Sequence, residues 1–405
     1  MGLIVQKYGG TSVGDLDKIG NVANRIIKTY KAGNDVVVVL SAMSGVTDKL
    51  IAMAQKAAEK PDRRELDVLM ATGEQTTASL MAMMLIGMGY PAVSLLGHQA
   101  EVRTDNAYGN ARIVNIGTDR IHQFINGRHI VVIAGFQGAE PNGNITTLGR
   151  GGSDTSAAAI AAALQADVCE IYTDVDGIYT ADPNICSQAR KIEKISYEET
   201  LEMASLGAKV LQIRSVEFAK KFNVPVHVRS SFNEEEGTMV MNADAEMERL
   251  VVSGVTSDKN EARLTFKKVP DQPGVAAKIF TPLAEASIVV DMIIQTSPTD
   301  GHNDITFTVP RGDYERAMAI GEKIVADLGA DSIRGKTDIA KVSVIGVGMK
   351  NHSGVAAKMF ATLAAENINI RLISTSEIRI SCVIDEKYAE LAVRVLHSAF
   401  GLDAE

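Results

Sequence analysis

This sequence has few cysteines, no excess of positive charge and no long apolar runs. The 405 residues include three cysteines, Cys169, Cys186 and Cys382, and no CxxC pair. An odd, widely spaced set excludes a disulfide framework and predicts a protein of a reducing compartment, the cytoplasm. The net charge of −9 disfavours a nucleic-acid binder, because neutralising phosphates requires clustered lysine and arginine.

The sequence also predicts that the chain has no membrane anchor and no signal peptide. No apolar run approaches the roughly 20 residues that cross a bilayer. The N-terminus, MGLIVQKYGG, is typical of a first β-strand. What the composition does contain, 46% hydrophobic and 22% charged residues, predicts packed cores, and the length predicts two or three domains.

Roughly the first 230 residues alternate short β-rich runs with helical patterns. The predicted strands are 2–8, 35–42, 91–97, 129–136, 167–173 and 224–230. The predicted helices are 16–30, 46–59, 64–88, 153–164, 197–205 and 208–222. The strands are β-branched and almost continuously apolar, which is typical of a parallel sheet covered on both faces. The alternation predicts an α/β domain with right-handed crossovers.

The last third of the chain contains a repeat. Residues 274–297 and 354–377 align without gaps at a shift of 80 residues and share the run GVAAK. Strands before and after each copy, and a second helix, predict two βαββα units, too few for a solenoid. The acidic stretch 233–250 is predicted to be a turn and linker. Strand 250–258 has no partner before the first unit, so we expect it to supply an edge strand to an interwoven pair.

Two loops of small residues each follow a strand and precede a helix. In 6-QKYGGTSVGD-15, adjacent glycines let backbone amides approach an anion, and Lys7 could reach a phosphate. In 41-SAMSGVTD-48, three hydroxyls accompany a glycine and suggest a second oxyanion site. Helix capping by these hydroxyls is the alternative in both loops. Neither loop has the GxxxxGK[ST] or GxGxxG pattern, which excludes a Walker P-loop and disfavours a dinucleotide fold.

A third loop, 146-TTLGRGGSDTSAAAIAAAL-164, precedes an alanine-rich helix. Ser153 or Asp154 could cap this helix, and capping is the alternative to a functional role for both residues. Arg150 is harder to explain that way, because a cation beside a helix N-terminus is unfavourable unless an anion lies between them. Its planar guanidinium suits a carboxylate or a phosphate, so this loop predicts an anion site.

Further charged residues follow the fifth strand and lie in two helices. The run 173-TDVDGIYTADP-183 holds three acids, which suit turns but also suggest Mg²⁺ shared with nucleotide phosphates. Glu74 lies in a helical pattern broken by Gly73, where a solvated or capping role is the alternative, and Lys209 opens a later helix. Loops after parallel strands gather at the carboxyl edge of a sheet. That edge would carry the positive groups and free amides that phosphoryl transfer requires.

Together these motifs resemble the aspartate kinases of the amino acid kinase family. The resemblance is carried by KYGGTSV, SAMSGVTD, TGE, TTLGRGGSDTSA, YTDVDGIYTADP and MASLGAKVLQIRSVEFA, and it covers essentially the whole chain. The GVAAK repeats resemble paired ACT regulatory domains. The resemblance implies a carbamate kinase-like three-layer α/β sandwich followed by two ferredoxin-like α+β ACT units. The implied ranges are 1–245 for the catalytic domain, 246–338 for the first ACT unit and 339–405 for the second.

The resemblance implies the reaction and its residues. MgATP would phosphorylate the side-chain carboxylate of L-aspartate to 4-phospho-L-aspartate, opening the path to lysine (through diaminopimelate), threonine and methionine. The implied ATP-binding residues are Lys7, Tyr8, Gly9, Gly10, Ser41, Thr173, Asp174, Tyr179, Asp182 and Lys209. The implied aspartate-binding residues are Thr47, Glu74, Arg150, Gly151, Gly152, Ser153 and Asp154. Mg²⁺ would be held mainly through ATP, without a dedicated protein site.

Lys7 and Asp154 are the implied catalytic residues. Lys7 would stabilise the transferring phosphoryl group, Glu74 would receive the substrate amine and Arg150 would bind the α-carboxylate. The attacking carboxylate is already ionised at pH 7, so it needs no general base. Asp154 is therefore expected to organise the substrate amine, a metal or Lys7.

The ACT pair implies feedback regulation by lysine, threonine or both. The implied effector residues are Asp271, Gly274, Val275, Ala276, Val289, Val290, Asp291, Gln295, Val355, Ala356, Asn369, Ile370 and Ser376. Asp291 would pair with an effector amine, although a strand-end surface acid is the alternative. A homodimer or tetramer through the ACT units is expected, and related genes can also produce a separate regulatory chain. Acetylglutamate, glutamate and uridylate kinases, or an amino-acid sensor with a vestigial kinase domain, are the rival hypotheses.

Overall fold

The computed structural model describes residues 2–207, 210–297 and 300–404. The chain divides into two compact units. The first consists of Met1–Ile178 and Lys191–Met247, and the second of Tyr179–Arg190 and Glu248–Glu405. Residues 179–190, which lie inside the range expected for the catalytic domain, thus belong to the second unit.

The first unit alternates strands and helices as the sequence predicts. Its strands are β1 (Leu3–Tyr8), β2 (Asp35–Leu40), β3 (Ala92–Leu95), β4 (Val102–Thr104), β5 (Ile113–Ile116), β6 (Ile130–Ala134), β7 (Gln137–Ala139), β8 (Ile145–Thr147), β9 (Val168–Thr173), β10 (Lys194–Ser196), β11 (Val226–Ser230) and β12 (Thr238–Met241). Its helices are α1 (Leu16–Lys31), α2 (Val46–Ala57), α3 (Arg63–Gly87), α4 (Asp119–Asn126), α5 (Gly152–Ala163), α6 (Tyr197–Ser205) and α7 (Ile213–Phe222).

The main sheet of this unit has the strand order β10-β12-β11-β9-β1-β2-β6-β3 in the described residues. Strand β1 lies between β2 and β9, with which it pairs in parallel, and β2 pairs in parallel with β6. The carboxyl ends of these four strands therefore meet at one edge of the sheet. That edge is where open α/β sheets bind their ligands.

Helices cover both faces of the sheet and make a three-layer sandwich. The apolar faces of α1 and α3 pack with the sheet in one core that includes Ile19, Ile26, Met81 and Leu85. The alanine-rich α5 contacts β1, β2 and β9. Its small side chains are almost all buried, which lets the helix approach the sheet closely.

The first helix begins at Leu16, as the sequence predicts. Asp15 is the N-cap of α1, and its side chain accepts a hydrogen bond from the N–H of Lys18 at 2.8 Å. Thr11 and Ser12 are therefore not the caps that the sequence allowed. The Ser12 hydroxyl instead lies 2.6 Å from the Ser231 hydroxyl.

Two parts of this unit differ from the sequence analysis. A second sheet, with the order β5-β4-β7-β8, was not predicted, because its strands are only three or four residues long. The predicted linker 233–250 contains β12, which pairs antiparallel with β11. Thr238 and Val240 of β12 are buried while Met239 and Met241 are not, so a short strand is hidden within an otherwise acidic stretch.

The second unit contains the two repeats. Its elements are β13 (Gly254–Pro270), α8 (Val275–Glu285), β14 (Ile293–Gln295), β15 (His302–Pro310), α9 (Tyr314–Leu328), β16 (Ser332–Ile345), α10 (Val355–Ala365), β17 (Leu372–Thr375), β18 (Arg379–Asp385) and α11 (Ala389–Ala399). In the described residues they form one sheet of order β14-β15-β13-β16-β18-β17.

The repeats exchange strands along the centre of that sheet. Strands β13 and β16 pair antiparallel over nearly their whole length, from Gly254 opposite Ile345 to Lys267 opposite Ser332. The first half of β13 lies with the second repeat, and the first half of β16 lies with the first repeat. Each repeat has its own core, one around Phe266 and Phe307 and one around Val342 and Met359.

The segment 179–190 is held within the second unit by several contacts. The Thr180 carbonyl accepts a hydrogen bond from the Val255 N–H at 2.8 Å, and its hydroxyl lies 2.8 Å from His397 Nε2. Ala181 and Cys186 are buried in the core of the second repeat. Burial lowers the pKa of His397.

Two further features concern the chain as a whole. Cys169, Cys186 and Cys382 are buried, and within the described residues all three are free thiols. Of the helices in the described ranges, none is long and apolar enough to cross a membrane.

A buried lysine joins the two repeats. Lys341 of β16 contacts the carboxylates of Glu261 and Asp291 through its ammonium. Lys341 and Glu261 are only 3% and 5% exposed. Burial raises the pKa of the Glu261 carboxyl, and the neighbouring ammonium opposes that effect. The pair therefore depends on both partners, because either charge alone would be buried without compensation.

We expect Lys341→Met to destabilise the second unit by about 3–5 kcal/mol, because it leaves Glu261 buried without its cation. Lys336→Met is the matched control: Lys336 lies on the same strand, but its pair with Asp385 is only partly buried, so a loss of about 0–1 kcal/mol is expected. Calorimetric unfolding of both variants measures the difference. Equal losses in the two variants would contradict this account.

Candidate active site

A cavity of about 500 Å³ lies at the carboxyl edge of the main sheet. Its lining comes from the loops after β1, β2 and β8 and from the first turns of α2 and α5, together with α3. The lining residues are Lys7, Gly10, Ser41, Ala42, Met43, Ser44, Gly45, Thr47, Asp48, Ile51, Met70, Glu74, Gly109, Phe136, Gly149, Arg150, Gly151, Gly152, Ser153 and Asp154. The three loops that the sequence singled out thus meet around one space.

An ion pair lies at the centre of the cavity wall. The Lys7 ammonium, on β1, is 2.6 Å from Asp154 Oδ1, in the first turn of α5. Both side chains are largely buried, at 9% and 13% exposed. Organising Lys7, one of the three roles that the sequence left open for Asp154, is consistent with this contact.

Helix α5 begins at Gly152, and its N-cap is Gly151, with a φ of 69°. A Cβ on Gly151 would lie 1.9 Å from the Gln212 side chain, so glycine is required there for space as well as conformation. Within the described residues no side chain caps this helix. The capping alternative for Ser153 and Asp154 is therefore wrong, and both side chains line the cavity instead.

The loop after β2 is built in the same way. Helix α2 begins at Val46, after the N-cap Gly45, which has a φ of 75°. In the described part of the chain, no side chain makes a capping hydrogen bond to this helix. Ser41, Ser44 and Thr47 are consequently not caps, and their residues line the cavity. The Ser44 N–H donates to the Gly10 carbonyl at 3.2 Å and joins this loop to the turn after β1.

Helix α3 brings a buried carboxylate to the cavity. Gly73 allows α3 to approach the loop after β2, because a Cβ there would lie 2.8 Å from the Ala42 side chain. Glu74, 4% exposed, then accepts a hydrogen bond from the Ala42 N–H at 3.1 Å through Oε1. Its Oε2 is buried and has no hydrogen-bond partner among the described residues. Burial raises the pKa of Glu74 to about 7.

The cavity lining thus holds two cations, Lys7 and Arg150, and three carboxylates, Asp48, Glu74 and Asp154. Lys7 and Asp154 are already paired, whereas Arg150 is exposed at the rim and Glu74 has an unpartnered buried oxygen among the described residues. A ligand with both a carboxylate and an ammonium would complement the latter two groups. A second anion near Lys7 would meet a cation and the amides of a helix start.

Tyr8 presents no side chain to the cavity. Its side chain is fully buried and stacks on Tyr172 with ring centroids 4.6 Å apart, in the core beneath α1. Successive side chains of a strand point to opposite faces, so Lys7 and Tyr8 cannot both face the cavity. Of the predicted β1 turn, Lys7 and Gly10 line the cavity, and the Gly9 N–H donates to the Tyr172 carbonyl at 3.3 Å.

Four of the remaining predicted nucleotide residues, Thr173, Asp174, Tyr179 and Asp182, lie at the end of β9 and after it. Thr173 ends β9, and its hydroxyl donates to the exposed Asp174 at 3.1 Å. Tyr179 and Asp182 belong to the second unit. Lys209 lies outside the described residues. Thr173 and Asp174 are not among the residues that line the cavity.

The three acids of residues 173–183 are divided between the two units, with Asp182 in the second. Asp182 Oδ1 accepts hydrogen bonds from the N–H and side-chain amide of Asn184, at 2.9 and 3.0 Å, in a local turn. Within residues 2–207, 210–297 and 300–404, no group of three or more histidines, cysteines or acids could hold a metal ion.

The predicted effector residues lie at the helix starts and edge strands of the second unit. Gly274 is the N-cap of α8, and the side chains of Val275 and Val355 are buried in the repeat cores. The other predicted effector residues are at least partly exposed: Asp271, Ala276, Val289, Val290, Asp291, Gln295, Ala356, Asn369, Ile370 and Ser376. The Asp291 carboxylate contacts the Lys341 ammonium, which the sequence did not predict.

Comparison with known proteins identifies the family. Residues 2–230 match the amino acid kinase family, and residues 267–322 and 342–400 match an ACT domain. The aspartokinase of Pseudomonas aeruginosa is 55% identical over 406 residues, covering 100% of this chain and 98% of that protein. The chain belongs to the aspartokinase family. It is accordingly a phosphotransferase with the amino acid kinase fold followed by ACT domains, as the sequence motifs predicted.

Solved aspartokinase structures share the fold over nearly the whole chain. Aspartokinase III of E. coli in complex with aspartate and ADP aligns with a TM-score of 0.81 and 27% identity, covering 98% of this chain and 99% of that one. The same enzyme in complex with lysine and aspartate aligns with a TM-score of 0.78 and 27% identity, covering 98% and 99%.

Glu74 gives the first unit a pH dependence whose sign follows from its pKa. The pKa of Glu74 is about 7 in the folded chain, against 4.5 for an ordinary glutamate. The contribution of protonated Glu74 to the stability of the fold is therefore fully present below about pH 4.5 and is lost as the pH rises through about 7. We expect Glu74→Gln to remove this loss and to be more stable than the native chain at pH 8 by up to about 3 kcal/mol.

Thermal unfolding at pH 5 and pH 8 measures this effect. Glu65→Gln is the control, since Glu65 is an exposed carboxyl on the same helix, and it should leave the pH dependence of the native chain intact. If Glu74→Gln and the native chain lose stability in parallel between pH 5 and pH 8, Glu74 does not titrate near pH 7.

Proposed function

We propose that this aspartokinase transfers the γ-phosphoryl group of MgATP to the side-chain carboxylate of L-aspartate, giving 4-phospho-L-aspartate and ADP. The observation that carries the proposal is the single cavity lined by Lys7, Glu74, Arg150 and Asp154 in a chain of this family. The product would be the first intermediate on the route to lysine, threonine and methionine. The E. coli relative solved with aspartate and ADP supports aspartate as the acceptor and an adenine nucleotide as the second ligand.

Aspartate complements the cavity group by group. The exposed Arg150 guanidinium would bind the α-carboxylate in a forked pair. The unpartnered oxygen of Glu74 would accept the α-ammonium and become ionised as it does so. Thr47, Ser153 and the backbone of Gly151 and Gly152 would complete the pocket. The side-chain carboxylate would then extend toward Lys7 and Asp154.

The chemistry needs charge stabilisation more than proton transfer. An ionised carboxylate oxygen forms a bond to the γ-phosphorus, while the bond from that phosphorus to the bridging oxygen of ADP breaks. No proton has to leave the nucleophile, because the carboxylate is ionised at pH 7. The Lys7 ammonium would stabilise charge on the transferring group, and Asp154 would fix that ammonium in place through their 2.6 Å contact.

ATP and Mg²⁺ are proposed on different grounds. The kinase family supports ATP, and we propose that Lys7, Gly9, Gly10, Ser41, Thr173, Asp174, Tyr179, Asp182 and Lys209 contribute to its binding. Tyr8 is left out because its side chain is buried. Mg²⁺, when bound, supplies neutralisation of phosphate charge, and we assign it no protein ligand because the described residues contain no metal-holding cluster.

The Asp154→Asn variant tests this mechanism. We expect its kcat for aspartate-dependent acyl phosphate formation to fall at least about 100-fold, because Lys7 loses the anion that fixes it. The KM for ATP should stay within about twofold of the native value. A hydroxamate assay with MgATP and aspartate measures both. Near-normal turnover would refute the role of Asp154, and native enzyme that is inactive on aspartate but active on acetylglutamate, glutamate or uridylate would refute the proposed substrate.

We also propose that lysine, threonine or both inhibit the enzyme at the ACT units. The relative solved with lysine supports this class of effector. Backbone at Asp271, Gly274 and Ala276 would hold the effector carboxylate, and Asp291 would accept its ammonium. Asp291 is already in contact with Lys341, so the effector would displace or share an internal ammonium.

The assembly and boundaries are proposals as well. We propose a homo-oligomer, dimer or tetramer, that pairs through the ACT units. Exposed isoleucines on the edge strands, Ile293 of β14 and Ile373 of β17, support such pairing. A separate regulatory chain is compatible with the same surfaces. The proposed functional ranges remain 1–245, 246–338 and 339–405.

The Asp291→Asn variant tests the effector site. We expect about tenfold more lysine or threonine to be needed for half-maximal inhibition, because a charge-assisted hydrogen bond to the effector is lost. Asp327→Asn removes an exposed acid from the same repeat and should respond like the native enzyme. The assay is run with lysine and threonine singly and together. Unchanged inhibition of the Asp291→Asn variant would place the effector amine elsewhere.

A further inference from the structure

Arg150, the proposed clamp for the substrate carboxylate, lies between two glycines. Gly149 and Gly151 have φ values of 76° and 69°, and Arg150 itself is exposed. Glycine permits many backbone conformations, so this sequence does not fix the guanidinium by itself. Residues outside the loop must hold its backbone if Arg150 is to meet a carboxylate at one place.

A buried carboxylate holds the start of this loop. Asp67 of α3 is 0% exposed, and its Oδ2 accepts hydrogen bonds from the Thr147 N–H at 2.8 Å and the Gly109 N–H at 2.9 Å. Its Oδ1 accepts the Thr147 hydroxyl at 2.8 Å. Burial raises the pKa of Asp67, while these three donors lower it. Asp67 precedes Glu74 by seven residues, two turns of the same helix.

A guanidinium holds the same region from α7. Arg214 Nη1 donates to the Leu148 carbonyl at 2.6 Å and to Asn110 Oδ1 at 3.1 Å, and Nη2 donates to the Ala111 carbonyl at 2.9 Å. Arg214 therefore joins residues 109–111 to the residues just before Arg150. Gly109 and Gly149 also line the cavity, so both joined segments belong to its wall.

Asp67 and Arg214 bind complementary groups of the same two segments. The Asp67 carboxylate accepts hydrogen bonds from backbone N–H groups, and the Arg214 guanidinium donates hydrogen bonds to backbone carbonyls. The Ala111 N–H also donates to the Thr147 carbonyl at 2.9 Å, which ties the segments directly. A loop fixed from two helices places its side chain with less loss of entropy on binding than a free loop does.

We propose that Asp67 and Arg214 are positioning residues for aspartate binding, which act by fixing the backbone that carries Arg150. This inference rests on the proposed role of Arg150 and adds two residues that do not touch the substrate. Their effect should appear in the binding of aspartate, because the contacts hold the Arg150 loop and not the Lys7–Asp154 pair.

Arg214→Met is the principal test, because Arg214 is only partly buried and its loss need not unfold the chain. We expect the KM for aspartate to rise about tenfold or more, with kcat and the KM for ATP within about twofold. Lys221→Met removes the same charge from an exposed position on the same helix and should leave all three values unchanged.

Asp67 is tested by a conservative pair. In Asp67→Asn, the amide oxygen can still accept both N–H groups and the amide nitrogen can donate to the Thr147 hydroxyl, so we expect the KM for aspartate to stay within about threefold of native. Asp67→Leu loses all of these hydrogen bonds and should raise the KM for aspartate at least as much as Arg214→Met does. Thermal unfolding establishes whether Asp67→Leu folds; if it does not, the Arg214 series still decides the proposal.

A double variant separates positioning from general damage. If Arg214 acts through Arg150, adding Arg214→Met to Arg150→Ala should lower kcat/KM for aspartate by less than about twofold beyond Arg150→Ala alone. Three results would overturn the inference. The Arg214→Met enzyme could keep the native KM for aspartate, or its KM for ATP could rise as much as its KM for aspartate. In the double variant, the losses in kcat/KM for aspartate from Arg214→Met and Arg150→Ala could multiply. A native enzyme without aspartate-dependent activity would instead refute the proposed function.

Discussion

The contact between Lys7 and Asp154 joins the central strand of the sheet to the first turn of α5, and the candidate site is arranged around it. A lysine beside a helix start is stable when an anion lies between them, and here Asp154 supplies that anion from within the chain. The ammonium is buried yet paired, so it is held at one place before any substrate arrives. Preorganised charge of this kind is the main contribution that a protein makes to phosphoryl transfer.

Buried carboxylates on α3 extend the same principle to the loops. Glu74 accepts the Ala42 N–H and Asp67 accepts N–H groups of Gly109 and Thr147, so one helix fixes three segments of the cavity wall. Arg214 complements it from α7. The loops are rich in glycine, which gives ligands access to backbone amides, and these side chains restore the order that glycine removes.

Much of this could be predicted from the sequence, for identifiable reasons. β-branched runs marked the parallel strands, and the loops after β1 and β2 meet at one edge, which brought Lys7 and Thr47 together as expected. Arg150 and Asp154 line the same cavity from the loop after β8, a strand of the unpredicted second sheet. The alternation of side chains along β1 would also have excluded Tyr8. Asp67 could not be found, because nothing local marks a carboxylate that bonds to segments 42 and 80 residues away. Strand β12 was hidden by the acidic residues around it.

The excursion of residues 179–190 into the second unit changes how the chain is divided. The polypeptide leaves the first unit after Ile178, returns at Lys191 and leaves again after Met247. Ala181 and Cys186, from the excursion, fill the core of the second repeat. A single cut near residue 247 would therefore not release a complete regulatory half. A regulatory fragment made without the excursion would begin with two core side chains missing, and it would have to close that gap by repacking or by association.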